Sequence, residues 1–103
     1  MAFHNNQLAS VTIPNSVTAI SDHAFANNPS LTSVTVSDNI RFLNEVVFAG
    51  SLQNLSQISI GANVNVLGAS DAVWAGFRSA YEANGRMAGT YTRTGNTWSF
   101  QPR

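Results

Sequence analysis

The residues best equipped for chemistry in this chain are two histidines, His4 and His23, the second preceded by Asp22. A catalytic zinc site needs at least three protein ligands and a structural one needs four. The chain has no cysteine, and no third ligand stands at metal spacing from either histidine, so no metal is expected. Asp22-His23 among several serines has the residue types of a hydrolase. It lacks the nucleophile elbow and the oxyanion-forming glycines that such chemistry needs. Gly85 to Gly89 is not a phosphate loop, because no Gly-Lys-Ser or Gly-x-Gly pattern follows a strand. No cofactor is therefore expected. Asn54-Leu55-Ser56 matches the glycosylation acceptor rule, but Leu55 falls on a core position, which argues for a chance match.

What remains is non-covalent chemistry. Ser10, Thr12, Ser33, Thr35, Gln57 and Ser59 are polar residues alternating with apolar ones in three short segments. That period of two places them on one face of a strand, with the apolar residues on the other. They form the candidate binding face, a shallow surface of hydroxyl and amide groups. It carries no Trp, Tyr or Arg of the kind that anchors tight interfaces. A weak contact repeated many times suits such a face better than one tight site.

The elements that position these residues are repeats. Leu8-Ala9-Ser10-Val11-Thr12-Ile13-Pro14-Asn15-Ser16-Val17-Thr18-Ala19-Ile20 aligns with a window beginning at Leu31 and another at Leu55, at steps of 23 and 24 residues. The apolar columns are Val11/Val34/Ile58, Ile13/Val36/Ile60, Val17/Ile40/Val64 and Ile20/Leu43/Leu67. An aromatic column runs through Phe3, Phe25 and Phe48. A period of 20–29 residues with Leu-x-x-Val-x-Val-x-x-Asn spacing, as at Leu31, Val34, Val36 and Asn39, is that of leucine-rich repeats. One coil cannot bury its apolar face alone, so copies must stack, strand beside strand in parallel. Pro14-Asn15, Asp38-Asn39 and Gly61-Ala62-Asn63 supply turns. Ser21-Asp22 is placed to cap a helical turn leading into Ala24-Phe25.

These residues resemble the BspA-type leucine-rich repeats. The phrase from Leu8 to Ile20, leading through Asp22 to Ala24-Phe25-Ala26-Asn27-Asn28-Pro29-Ser30-Leu31, is close to that family's consensus, and the resemblance covers about residues 2–68. The third repeat departs from it, with Gly61-Ala62 in place of Pro-Asn and Val47 in place of the alanine before Phe48. Tyr81 to Trp98 resembles the closing segment of spirochaete members. The resemblance implies a bacterial surface or secreted protein, with adhesion to a host or bacterial surface protein as the associated role. It brings no catalytic residues.

Composition narrows the field further. In 103 residues the charged fraction is 10% and the formal net charge is zero, so long-range attraction to nucleic acid or an anionic membrane has no basis. No apolar run approaches the roughly 20 residues of a membrane span, and the first residues lack the regions of a signal peptide.

The ends differ in character. Ser70-Asp71 can start a helix in which Trp74, Phe77 and Tyr81 share one face, and Asn84-Gly85 can stop it. Gly89 to Phe100 reads as a hairpin turning at Thr94-Gly95-Asn96. At the other end, Ala2 to Leu8 copies Ala24 to Leu31 less one residue, so the chain begins inside a repeat. Nothing there shields Val11 and Ile13, and self-association through this N-terminal coil, to a homodimer or larger, is expected.

The expected protein is thus an α/β leucine-rich-repeat solenoid. It has about three parallel strands, short helical turns on the return side, repeats over residues 1–69, and a helix-plus-hairpin cap over 70–103. Its expected function is that of a non-enzymatic protein-interaction module. A spacer or end cap of a longer array is the alternative; an enzyme has no assembled acid/base pair to support it.

Overall fold

Val11, Val34 and Ile58 each stand between two polar residues, and each is the buried centre of a short strand. In the computed structural model, which describes residues 7–14, 20 and 23–102, the elements follow the repeat. They are β1 (Ser10–Thr12), β2 (Ser33–Thr35), β3 (Phe42–Asn44), a 3-10 turn (Glu45–Phe48), β4 (Gln57–Ile60), β5 (Asn65–Leu67), α1 (Ala72–Ala83), β6 (Gly89–Thr94) and β7 (Thr97–Pro102). Strands β1, β2 and β4 pair in parallel, with Val11 beside Val34 and Val34 beside Ile58. Like residues one repeat apart therefore lie side by side. The ladder continues past the strands, where the Ile13 N–H donates to the Thr35 carbonyl and the Val36 N–H to the Ser59 carbonyl. Val34, Val36, Ile58 and Ile60 are almost wholly buried. Each such side chain stabilises the fold by roughly 1.5–3 kcal/mol.

The sheet is larger than the three strands expected. Its order is β1-β2-β4-β6-β7, because the cap hairpin joins it edge-on and antiparallel. The reason is that β4, the last repeat strand, would otherwise leave a row of N–H and C=O groups unpaired. β6 fills that edge, with Tyr91 opposite Ile58 and Gly89 opposite Ile60. Tyr91 thereby extends the Val11/Val34/Ile58 column by one rung. Arg93 fastens the hairpin further: its guanidinium donates to the carbonyls of Leu55 (2.7 Å), Gln53 (3.3 Å) and Gly95 (3.0 Å).

A second, two-stranded parallel sheet pairs β3 with β5 on the return path. Sequence patterning does not announce these strands, since Phe42-Leu43-Asn44 and Asn65-Val66-Leu67 lack the polar-apolar-polar alternation that marks β1 and β2. The register also corrects one column. Leu43 lies beside Val66, not Leu67; Val66 is buried while Leu67 is 40% exposed. The third repeat has one residue fewer between Val64 and this strand than the second has after Ile40. Strand alternation then turns Val66 inward and Leu67 out. The position of Ile20 in that column is half-buried. Val17, Phe3 and the Ser21-Asp22 cap lie outside the described residues.

The aromatic column continues into the cap. Phe25 stacks on Phe48 with centroids 5.9 Å apart, and Phe48 meets Trp74 of α1 at 5.9 Å. The Asp71 carboxylate caps α1 by accepting from the Val73 and Trp74 N–H groups. Glu45, at the start of the 3-10 turn, accepts from the Ser70 and Asp71 N–H groups at 3.0 and 3.1 Å. The partial burial of the Glu45 carboxyl works against ionisation, but these backbone donors and the Ser70 hydroxyl outweigh it, and its pKa lies below the ordinary 4.5. A depressed carboxylate stabilises the fold above its unfolded pKa, and that contribution is lost as pH falls through the folded value. Glu45→Gln is expected to melt less differently between pH 7 and pH 3 than the parent; equal pH sensitivity in thermal melts would contradict this.

Candidate binding surface

The outward positions of the large sheet are polar by strand alternation. Ser10, Thr12, Thr35 and Gln57 are exposed, and Ser33 and Ser59 are half-buried. The register aligns them in two rows. Ser10, Ser33 and Gln57 are neighbours in one, and Thr12, Thr35 and Ser59 in the other. All six sequence-predicted residues therefore share one face.

The hairpin carries both rows onward. Thr92 and then Ser99 continue the Gln57 row, while Thr90 and then Gln101 continue the Ser59 row. The Ser59 and Thr90 hydroxyls are hydrogen-bonded at 3.0 Å. The sequence alone assigns the hairpin to a cap over the last coil, which leaves these four residues off the face. Their own alternation, Thr90-Tyr91-Thr92 and Trp98-Ser99-Phe100-Gln101, is the signal that assigns them to the face. At about 4.8 Å between strands, five strands span roughly 19 Å. None of the ten residues is charged. Such a face offers short-range hydrogen bonds and no long-range electrostatic attraction.

What holds the face rigid lies beneath it. Tyr91 packs edge to face on Phe77 and Tyr81 at centroid distances of 5.7 and 5.5 Å, and those two rings stack on each other at 5.8 Å. The Tyr81 hydroxyl donates to the Gly61 carbonyl at 2.6 Å and accepts from the Val64 N–H. Burial raises the pKa of both tyrosines. They stay protonated and serve as hydrogen-bonding struts.

Elsewhere the surface offers less. His23 is exposed with φ of 62°, and its N–H donates to the Val46 carbonyl; His4 and Asp22 lie outside the described residues. Among the described residues no group of three His, Cys, Asp or Glu is placed to hold a metal ion. A hollow of about 390 Å³ is lined by Glu45, Leu52 and Asp71, but both carboxylates already accept backbone N–H groups. A polar groove of about 380 Å³ runs between the turns at Asp38-Asn39 and Ala62-Asn63. No described helix is long and apolar enough to cross a membrane. At the N-terminal end, Val11 and Ile13 are only 8% and 5% exposed. The apolar driving force expected of them for self-association is accordingly small.

The model of the BspA-type leucine-rich repeat region matches residues 1–71, in six copies. No match was found among curated proteins or among solved structures.

Proposed function

Because the chain belongs to the BspA-type leucine-rich repeat family, we propose that it is a non-enzymatic protein-interaction module, a short solenoid whose polar sheet face meets a partner protein. The repeats over residues 1–69 and the cap over 70–103 act as one binding domain, and the setting is a cell surface or secreted protein engaged in adhesion. The observation that carries this reading is the alignment of Ser10, Thr12, Ser33, Thr35, Gln57 and Ser59 in two uninterrupted rows. Equal spacing of like groups favours a repetitive partner surface bound through many weak contacts. The lack of an aromatic or arginine anchor argues for low affinity per contact.

The test uses purified host-matrix and bacterial surface proteins immobilised as a panel, with binding of the chain read by interferometry. Thr35→Arg, on the middle one of the three repeat strands, is expected to weaken any captured interaction at least tenfold, as a bulky charge holds the partner away. Thr35 is exposed, so stability should change by no more than about 0.5 kcal/mol. Binding that survives Thr35→Arg but fails on Phe42→Arg would move the site to the second sheet, where Phe42 is 61% exposed. A chain that captures nothing from the panel, alone or as a clustered multimer, would favour the spacer reading.

A further inference from the structure

Among the described residues, strand β7 ends the large sheet and has no strand beyond it. Which of its backbone groups are free follows from the ladder. The Arg93 N–H points back toward the repeats, donating to the Ser56 carbonyl at 2.7 Å. Arg93 and its partner Trp98 are thus a non-hydrogen-bonded pair, and so, two residues on, are Tyr91 and Phe100. The N–H and C=O groups of Trp98 and Phe100 therefore face outward, and no described residue bonds to them. Edge strands are usually defended by charge, shortness or cover. β7 has six residues, none of them charged, and its only blunting residue is Pro102 at the very end. The opposite edge, β1, has three residues and Pro14 close behind.

The side chains on this edge are half covered. Trp98 packs on Phe77 at 5.4 Å and Phe100 on Tyr91 at 4.9 Å, yet both remain partly exposed. They border a groove of about 260 Å³ against Ala80 and Ala83 of α1 and Asn84 at its C-terminal cap. Small residues there leave room for a second set of rings.

We propose that β7 pairs antiparallel with β7 of a second copy, joining two five-stranded sheets into one of ten. The free groups select the register. Pairing Trp98 with Phe100 of the copy engages all four outward N–H groups across the two chains. Pairing Phe100 with itself would set Trp98 against Pro102, which has no N–H. Pairing Trp98 with itself would set Phe100 against Asn96 in the turn. The chosen register places Trp98 beside the copy's Phe100 on the inner face, twice over, and continues the aromatic layer across the dyad. Ser99 then faces its own counterpart on the outer face, in a close non-hydrogen-bonded pair. None of the six residues of β7 carries a charge that would repel the copy's β7. Two polar faces become one continuous surface, which doubles the valency of the proposed binding face.

The self-facing serine makes the test specific. The full chain is expected to dimerise reversibly in sedimentation-equilibrium runs. Ser99→Lys and Ser99→Glu should each raise the dissociation constant by about fivefold at low salt, the size of effect that a facing like-charge pair produces. An equimolar mixture of the two should restore dimerisation to the parent level or beyond. Ser99 is exposed, and unchanged circular dichroism confirms that the variants fold. A monomer at all concentrations overturns the proposal. So does a dimer indifferent to charge at Ser99, which would place the contact at the N-terminal repeat, and so does a ladder of larger species, which would indicate β7 pairing with β1 of the next copy. None of these outcomes depends on whether the polar face binds a partner.

Discussion

Trp74→Ala should lower the unfolding free energy by about 3–5 kcal/mol, the cost of truncating a large buried aromatic. Trp74 is 1% exposed and sits between Phe48 (5.9 Å) and Phe77 (5.4 Å), where the repeats' aromatic column passes into the cap. Its indole N–H donates to the Leu67 carbonyl at 2.8 Å, tying α1 to the end of β5. Removal leaves both a cavity and an orphaned carbonyl. Domains of this size have only about 5–15 kcal/mol in hand, so the variant stands near the edge of folding at 37 °C. Urea denaturation at matched slope is the measurement. Trp74→Phe, which keeps most of the volume and loses the hydrogen bond, should cost about 1–2 kcal/mol. If alanine costs less than that, the cap is not packed through this residue.

Asn28→Leu should cost about 2–4 kcal/mol, from buried polar groups left without partners. Asn28 is fully buried. Its side-chain amide donates to the Phe25 and Ala26 carbonyls, and its side-chain oxygen accepts from the Leu8 N–H. Its own N–H donates to the Ser51 hydroxyl at 2.7 Å, which in turn donates to the Phe25 carbonyl. Asn28 and Ser51 are one repeat apart, and each satisfies turn groups that the stacking shields from water. Leucine has the same branched skeleton and a larger volume, so no cavity opens, and the loss reports the broken hydrogen bonds together with some crowding. Asn54→Ala, an exposed donor to the Pro29 carbonyl, is the control, expected within about 0.5 kcal/mol. Equal effects at the two sites would mean that water reaches the Asn28 turn.

Much of the fold was legible because repetition multiplies a weak signal. A single Val-Thr-Val says little, but Val11, Val34 and Ile58 at steps of 23 and 24 residues specify which strands must be neighbours. The same holds for the six polar residues between and beside them, since a strand with one buried face must show the other. Helix α1 was legible for a local reason. Asp71 caps it, three aromatics share its inner face, and Asn84-Gly85 ends it, with Gly85 at φ of 69°.

The step of the repeat, the alternation within each strand and the neutrality of the face were decided by the sequence alone, because each depends only on residues counted along the chain. Three things were decided by the tertiary structure. The cap hairpin became part of the sheet, because β4 needed a partner for its open edge. Val66 displaced Leu67 from the interior, because strand pairing and not residue count sets the register. The outward groups of Trp98 and Phe100 became the free edge, because hydrogen-bond phase is inherited strand by strand from β4. All three are relations between segments far apart in the chain, and no local pattern carries them.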